Sequence, residues 1–301
     1  MQNTLPQASD LPLRDGVSAS CVQVPAGAWS SLLAFLCAQF PAIHETIWLS
    51  RFARGLVLDQ TGKTLQPRDH CKTGARIYYY REVAQEIEIP FQEKILYQDE
   101  YILVADKPHF LPVVPSGVYV QQTLLTRLKR STGIAQLSPL HRIDKDTAGL
   151  VMFSVNPHTR NAYQALFRER QVTKHYHAVA RWNTAFTYPL VYRSRLVEDA
   201  QFFRTQEVEG AANSETVVSV LAQDGEKALY NLQPITGKKH QLRVHMAQLG
   251  MPIANDVLYP AVCEREAEDF SQPLQLLAKS LAFVDPITQA LRYFESQQKL
   301  N

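Results

Sequence analysis

One segment constrains the fold of this chain more than any other. In the stretch HRIDKDTAGLVMFSV at residues 141–155, a charged turn runs directly into an apolar run. The apolar run is typical of a strand. Asp144 lies at the mouth of this strand among basic residues, where nearby cations favour the charged form of a carboxylate. The segment therefore predicts a strand with an ionised carboxylate at its start.

From the residues alone, three interpretations of this charged turn stay open. Asp144 can serve as a nucleophile or a base. Asp144 and Asp146 can form a carboxylate pair like that of glycoside hydrolases or nucleosidases. The segment can also be a plain turn, in which Asp146 or Thr147 hydrogen-bonds its own backbone.

Strands and helices mix along the rest of the chain without regular βαβ alternation. Paired strands are predicted over residues 95–108 and around a turn at Asp285-Pro286. Apolar spacing and caps predict four helices, at residues 28–40, 43–54, 156–171 (with Asn156 as N-cap) and 238–250. This mixture predicts an α/β fold with a mixed sheet.

The length of 301 residues predicts two domains. We expect an N-terminal arm at residues 1–27, a small module at 28–88 and a large domain at 95–301. The segment around Pro90 separates the module from the large domain.

Composition excludes several classes of protein. Hydrophobic residues make up 46% of the chain and charged residues 20%, which excludes a disordered or fibrous protein. No apolar run approaches a membrane span, and the first residues do not have the pattern of an export signal. The four cysteines show no zinc spacing, so we expect reduced thiols and no metal site. The sequence therefore predicts a cytoplasmic protein without a membrane partner.

The net charge of +2 hides two basic stretches. Residues 125–181 hold ten basic and three acidic residues, a net charge of +7. Residues 51–81 hold seven basic and two acidic residues, a net charge of +5, which leaves −10 on the remainder. Two basic stretches with interleaved aromatic residues fit a polyanionic partner such as RNA, and they equally fit a solvated basic face on ordinary helices.

Four blocks in this chain resemble the RluA-type family of RNA pseudouridine synthases, in the order that the family has them. They are ILYQDEYILVADKPHFLPVVPSG, HRIDKDTAGLVMFS, VTKHYHAVA and TGKKHQLRVHMAQLGMPIANDVLY. The resemblance runs from about Ile95 to Phe294. It implies a mixed, largely antiparallel central sheet with flanking helices, and isomerisation of uridine to pseudouridine in RNA without a cofactor.

The resemblance also implies roles for single residues. Asp144 would be the nucleophile, Tyr176 would lie against the target base, and Arg243 would pair with Asp144. Arg142 would enter the RNA beside the extruded nucleotide. Further RNA contacts are expected from His141, Lys107, Lys174, Lys238, Lys239, His240, Gln241, Arg51 and Arg54.

The chain departs from the family pattern at four places. Gly237-Lys238-Lys239 replaces Gly-Arg-Thr, and Ala148 replaces Ser. Asn255-Asp256 stands where Gly-Asp is usual, and Leu276-Leu277-Ala278 where Leu-His-Ala is usual. These departures concern the RNA contacts and the choice of substrate more than the reaction.

The N-terminal module resembles the S-four-like RNA-binding domain found in many of these enzymes, over residues 45–82. We expect a monomer that acts on ribosomal RNA, with transfer RNA as the alternative substrate. A non-catalytic RNA-binding or ribosome-assembly protein on the same fold is a competing hypothesis.

The two basic stretches predict salt-dependent RNA binding, because each phosphate contact releases counterions. The affinity for RNA should fall steeply between about 50 and 200 mM salt. A filter-binding titration at both salt concentrations measures this fall. An unchanged affinity would contradict the expected role of the basic stretches.

Overall fold

The chain folds into two compact units. The computed structural model describes residues 11–83, 85–199, 204–264, 266 and 269–301. The smaller unit comprises residues 1–86, 115–121 and 126–136, and the larger comprises residues 87–114, 122–125 and 137–301.

The smaller unit is built on a three-stranded antiparallel sheet. Its elements are β1 (Ser20–Gln23), α1 (Leu32–Gln39), α2 (Glu45–Ala53), β2 (Val57–Leu58), β3 (Arg76–Tyr79) and most of α3 (Leu124–Thr132). Strand β3 lies between β1 and β2. Trp48 of α2 and Phe35 of α1 are fully buried in its core. Both predicted N-terminal helices are present with shorter bounds, and α1 begins where Ser31 accepts a hydrogen bond from the Ala34 N–H at 3.2 Å.

The expected N-terminal arm differs from the structure in its described part. Strand β1 pairs with β3, from Ser20 opposite Tyr79 to Gln23 opposite Arg76. Leu11 is buried as well. A four-residue strand with a short alternating pattern is too brief to recognise in the sequence. Residues 1–10 of the expected arm lie outside the described part of the chain.

The larger unit is built on one eleven-stranded sheet. Its strands are β4 (Lys94–Gln98), β5 (Ile102–Lys107), β6 (Ser138–Pro139), β7 (Ala148–Ser154), β8 (Thr173–Arg181), β9 (Leu190–Glu198), β10 (Thr205–Val208), β11 (Ser214–Asp224), β12 (Lys227–Pro234), β13 (Leu276–Val284) and β14 (Leu291–Glu295). Nine follow the order β10-β9-β11-β12-β8-β13-β7-β5-β4, while β14 pairs with β13 and β6 with β7. Among the described residues, only β13 and β7 pair in parallel. The predicted mixed, largely antiparallel sheet is confirmed.

Two helices flank this sheet, α4 (Arg160–Arg168) and α5 (Gln241–Gln248). Helix α4 packs Tyr163 and Leu166 against β5 and β7, and α5 packs Leu242 and Met246 against β8 and β12. Helix α4 begins later than predicted. The carboxamide oxygen of Asn156 accepts the His158 N–H at 2.9 Å, which closes a turn ahead of the helix rather than capping it.

No helix in the described ranges is long and apolar enough to cross a bilayer.

The order β8-β13-β7 brings the Asp144 loop close to the strand that carries Tyr176. Only Leu277 and Ala278 of β13 pair with β7, opposite Ala148 and Gly149. Gly149 has φ +110°, and a Cβ atom there would lie 2.3 Å from the carbonyl oxygen of Ala278. Only glycine allows the two strands to approach this closely.

Replacing Gly149 with alanine should therefore lower the free energy of unfolding by more than about 2 kcal/mol, because backbone strain and overlap add together. Gly225→Ala is the matched control: its φ is +56°, but nothing lies within 4 Å of the added Cβ. That variant should cost about 1 kcal/mol. Urea unfolding measures both values, and equal losses would contradict a close approach at Gly149.

Candidate active site

Asp144 lies in the loop before β7 with 28% of its side chain exposed. Its Oδ2 is 3.4 Å from Nη1 of Arg243, and its Oδ1 is 3.8 Å from Nε2 of His240. His240 is the N-cap of α5 and Arg243 lies in its first turn. The carboxylate is thus partly open to solvent while one cation and one imidazole face it.

Arg243 links Asp144 to a second carboxylate. Its Nε and Nη2 donate to the two oxygens of Asp256, at 2.8 and 2.6 Å. The side chains of Arg243 and Asp256 are 2% and 1% exposed. Burial opposes the charge of Arg243, but the hydrogen bonds and charge of Asp256, together with Asp144, outweigh it and raise the pKa of the guanidinium. Arg243 is therefore a permanent cation in a fixed orientation.

Tyr176 lies on β8, opposite Leu232 of β12 and Ala278 of β13. Burial raises the pKa of its phenol, and the negative charge of Asp144 raises it further. The phenol is therefore neutral near pH 7, and its neighbour is the carboxylate of Asp144. The structure brings together the three residues predicted as catalytic: Asp144, Tyr176 and Arg243.

Asp256 is a site residue to which the sequence-based prediction gives no role. Its place in the closing block, where the family has Gly-Asp, is the signal that could have found it. Asn255, which replaces the usual glycine, has φ +62°. Asparagine tolerates this left-handed conformation better than most residues, so the departure preserves the backbone that presents Asp256.

Within the described ranges, no group of three or more His, Cys, Asp and Glu side chains is placed to hold a metal ion.

Comparison with known proteins gives a consistent result. The family model described as RNA pseudouridylate synthase matches residues 101–248. The dual-specificity RNA pseudouridine synthase RluA of Pasteurella multocida is 33% identical over 199 residues, which cover 65% of this chain and 88% of that protein. The tRNA pseudouridine synthase C of Vibrio cholerae is 33% identical over 220 residues, which cover 65% of this chain and 87% of the relative.

The chain belongs to the RNA pseudouridylate synthase family. It is an isomerase that acts on RNA, and the glycoside hydrolase interpretation of Asp144 and Asp146 is wrong. Among solved structures, human RNA Pseudouridylate Synthase Domain Containing 1 matches with a TM-score of 0.58, over 71% of this chain and 86% of that one. At 22% identity, this match shows a shared fold.

Two of the RNA contacts expected in the larger unit of this pseudouridine synthase are corrected by burial. Lys107 has no exposed surface, and its Nζ donates to the carbonyls of Pro108 and Lys145, each at 2.9 Å. Gln241 is 3% exposed and uses its carboxamide for contacts within the protein, to Thr236 and Thr216 among others. Both side chains therefore make hydrogen bonds inside the protein and cannot reach a phosphate of the RNA.

His141 is also engaged within the protein. Its Nε2 accepts the Met152 N–H at 3.1 Å, and its ring stacks on Phe167 with centroids 4.6 Å apart. Burial, assisted by the positive charge of Lys174, lowers the pKa of His141 to about 3. His141 therefore stays neutral and anchors the loop to β7, so it is not a cationic RNA contact.

Four expected RNA contacts remain accessible in the larger unit. Arg142, Lys238 and Lys239 are exposed. Lys174 is half-buried, and its pKa is lowered by burial and by Arg170. The added Cβ at Gly237 would lie 3.8 Å from Nζ of Lys174, so this lysine lies beside the Gly237-Lys238-Lys239 loop.

In the smaller unit, the two expected RNA contacts have different environments. Arg51 is 4% exposed, and its guanidinium lies 4.7 Å from the centre of the Trp48 ring. Burial lowers the pKa of Arg51. Arg54 is 54% exposed and pairs with Glu82. Of the two, only Arg54 can reach a ligand on the surface.

The buried Lys107 makes stability depend on pH. Burial lowers its pKa from 10.5 to about 7, although Asp146 and Asp144 favour its charge. Between pH 7 and pH 10 the unfolded chain therefore holds a proton that the folded chain has released. The contribution of Lys107 to the free energy of unfolding should rise with pH, by at most about 1.4 kcal/mol per pH unit.

We expect the stability difference between wild type and Lys107→Met to grow in favour of wild type from pH 7 to pH 9. The neutral amine still donates to both carbonyls but no longer bears the cost of a buried charge. Urea unfolding at several pH values measures the difference, with the exposed Lys238→Met as control. Parallel curves for wild type and Lys107→Met would contradict the lowered pKa.

Proposed function

We propose that this pseudouridine synthase isomerises uridine in a folded RNA, with the carboxylate of Asp144 as nucleophile. The observation that carries the proposal is the position of Asp144. Asp144 is partly exposed at the start of β7 and faces the buried cation of Arg243. Its negative charge helps to raise the pKa of the Tyr176 phenol, which stays neutral. A nucleophilic carboxylate must be accessible and is oriented by a facing cation, and this arrangement provides both.

The reaction has a balance that suits this site. The bond between uracil and ribose breaks, the base rotates within the site, and a new bond forms from ribose to a ring carbon. That carbon releases its hydrogen as a proton, and the ring nitrogen that had been joined to ribose takes up a proton. Substrate and product are isomers, so no co-reactant is consumed. Arg243 gives two N–H groups to Asp256 and one to Asp144, which leaves Asp144 free to attack.

Tyr176 supports the rotation step. Its neutral ring, held between β12 and β13, offers a flat surface against which uracil can turn while it remains in the site. A neutral phenol adds no negative charge beside the carboxylate.

Access to a base inside an RNA helix requires the nucleotide to be extruded. Arg142 is exposed two residues before Asp144. In this proposal its side chain enters the gap that the nucleotide leaves. Lys174, Lys238 and Lys239 contact the neighbouring phosphates in this proposal. In the smaller unit, Arg54 makes an RNA contact of its own in this proposal, as an S-four-like module would.

Ribosomal RNA is the first substrate expected from the sequence, and transfer RNA the second. The names of the relatives favour testing both, because one is a dual-specificity RNA synthase and another a tRNA synthase. The monomeric state and the cytoplasmic location stay predictions that rest on the sequence.

Asp144→Asn should abolish pseudouridine formation while RNA binding survives, because the amide keeps the shape of the side chain but is not nucleophilic. The loss should be at least about 10³-fold. Site-resolved pseudouridine mapping on unmodified ribosomal and transfer RNA measures this loss. The same mapping with the wild-type protein identifies which RNA is the substrate.

Asp146→Asn is the matched control for Asp144→Asn. Asp146 lies two residues away in the same loop and is 19% exposed, with Lys145 as its ion-pair partner at 3.9 Å. The Asp146→Asn variant should retain most of the pseudouridine-forming activity. Full activity of Asp144→Asn would overturn the proposed nucleophile, and a wild type inactive on both RNA classes would overturn the choice of substrates.

A further inference from the structure

Two nitrogen donors face the carboxylate of Asp144, one towards each oxygen. Nη1 of Arg243 lies 3.4 Å from Oδ2, and Nε2 of His240 lies 3.8 Å from Oδ1. We propose that His240 is a positioning residue whose Nε2–H orients the attacking carboxylate, and that Tyr259 keeps the proton on that nitrogen. The inference rests on the proposed role of Asp144 as nucleophile.

The backbone of His240 is shaped to aim its ring. His240 has φ +53°, a left-handed conformation that is strained for a residue with a Cβ. At this N-cap the side chain makes no capping hydrogen bond, although its carbonyl accepts the Val244 N–H at 3.0 Å. The ring is directed instead towards Asp144 and Tyr259, with its side chain 10% exposed. Such strain is typical of a residue whose orientation serves the site.

Tyr259 decides which ring nitrogen carries the proton. Its hydroxyl lies 2.9 Å from Nδ1 of His240 and accepts the Thr205 N–H at 2.8 Å. The hydroxyl hydrogen has two acceptors within reach, Nδ1 of His240 and the Thr205 carbonyl at 3.0 Å. If it is donated to Nδ1, the ring proton lies on Nε2 and points at Asp144. The other tautomer would turn a lone pair towards the carboxylate, which is repulsive.

In the proposed arrangement the hydrogen bonds form one directed series. The Thr205 N–H donates to the Tyr259 hydroxyl, this hydroxyl donates to Nδ1 of His240 rather than to the Thr205 carbonyl, and Nε2–H points at Oδ1 of Asp144. Burial lowers the pKa of His240, although Asp144 opposes this, so the imidazole is neutral near pH 7. A movement of about 1 Å closes the last contact to hydrogen-bond length, as catalytic contacts commonly tighten with substrate.

Asp256 holds both donors in register. Its Oδ1 accepts from Nη2 of Arg243 at 2.6 Å and from the Tyr259 N–H at 3.1 Å. The guanidinium of Arg243 also lies 5.4 Å from the centre of the Tyr259 ring. One buried carboxylate thus fixes the donor for each oxygen of Asp144. Together they restrict rotation of the Asp144 side chain about its final torsion.

Three variants test the proposal through kcat and KM on the RNA that the wild type modifies. His240→Leu removes the donor and should lower kcat about 10- to 100-fold with KM changed less than about 2-fold. His240→Gln places an amide N–H near the position of Nε2 and should recover most of kcat. Tyr259→Phe should lower kcat in the wild-type background but not in the His240→Leu background.

Controls separate this role from others. His158→Leu changes an exposed histidine outside the site and should match wild type. A raised KM with normal kcat in His240→Leu would make His240 an RNA contact and overturn the positioning role. Equal losses in His240→Gln and His240→Leu would also overturn it. If His240→Leu keeps its kcat while Asp144→Asn is inactive, this inference alone fails; if Asp144→Asn is active, the proposed nucleophile fails.

A spectroscopic measurement tests the proton position in the wild type, independently of any change in activity. Nitrogen-15 NMR of the histidine-labelled full chain reports which ring nitrogen is protonated. The signal of His240, assigned by its loss in His240→Gln, should show a neutral ring protonated at Nε2. Protonation at Nδ1 in the wild type would overturn the proposal.

Discussion

The ion pair between Arg243 and Asp256 is the interaction on which the rest of the site depends. Both side chains are almost fully buried, so the hydrogen bonds between them must offset the cost of removing two charges from water. The bidentate geometry does this and fixes the plane of the guanidinium. Asp256 balances the charge of Arg243 and binds two of its nitrogens. The third nitrogen, Nη1, faces Asp144 at a longer distance. Asp144 thus has a nearby cation yet stays partly exposed.

Much of the fold and the centre of the site could be predicted from the sequence. Apolar alternation and turn residues indicated β4, β5 and the β13–β14 hairpin, and the four blocks that resemble the family led to Asp144, Tyr176 and Arg243. The lone parallel contact at Gly149 could not be predicted, because it depends on a strand more than a hundred residues away. The predicted helix start at Asn156 was wrong, because an asparagine side chain can cap a helix or close a turn ahead of it, and here it closes the turn.

Burial of basic residues explains most of the remaining differences. Basic side chains are typical of an RNA-binding surface, but three of them direct their polar atoms or their ring into the protein: Lys107, Arg51 and His141. A charge count treats buried and exposed residues alike. Arg127 and Lys129 of the +7 stretch are also 7% and 6% exposed, so the electrostatic surface is weaker than the sequence suggests. The basic residues that remain outside, such as Arg142 and Lys238, are the ones that can meet a phosphate.

The short parallel contact between β7 and β13 also affects the order in which the site assembles during folding. Asp144 and Tyr176 are 32 residues apart in the chain, but the strand between them is β13, which begins at Leu276. During synthesis the first two are made long before the third, and long-range strand pairing is slow to form. A growing chain therefore carries Asp144 and Tyr176 before it carries the strand that lies between them. The two side chains take up their places in the site only once β13 has joined the sheet.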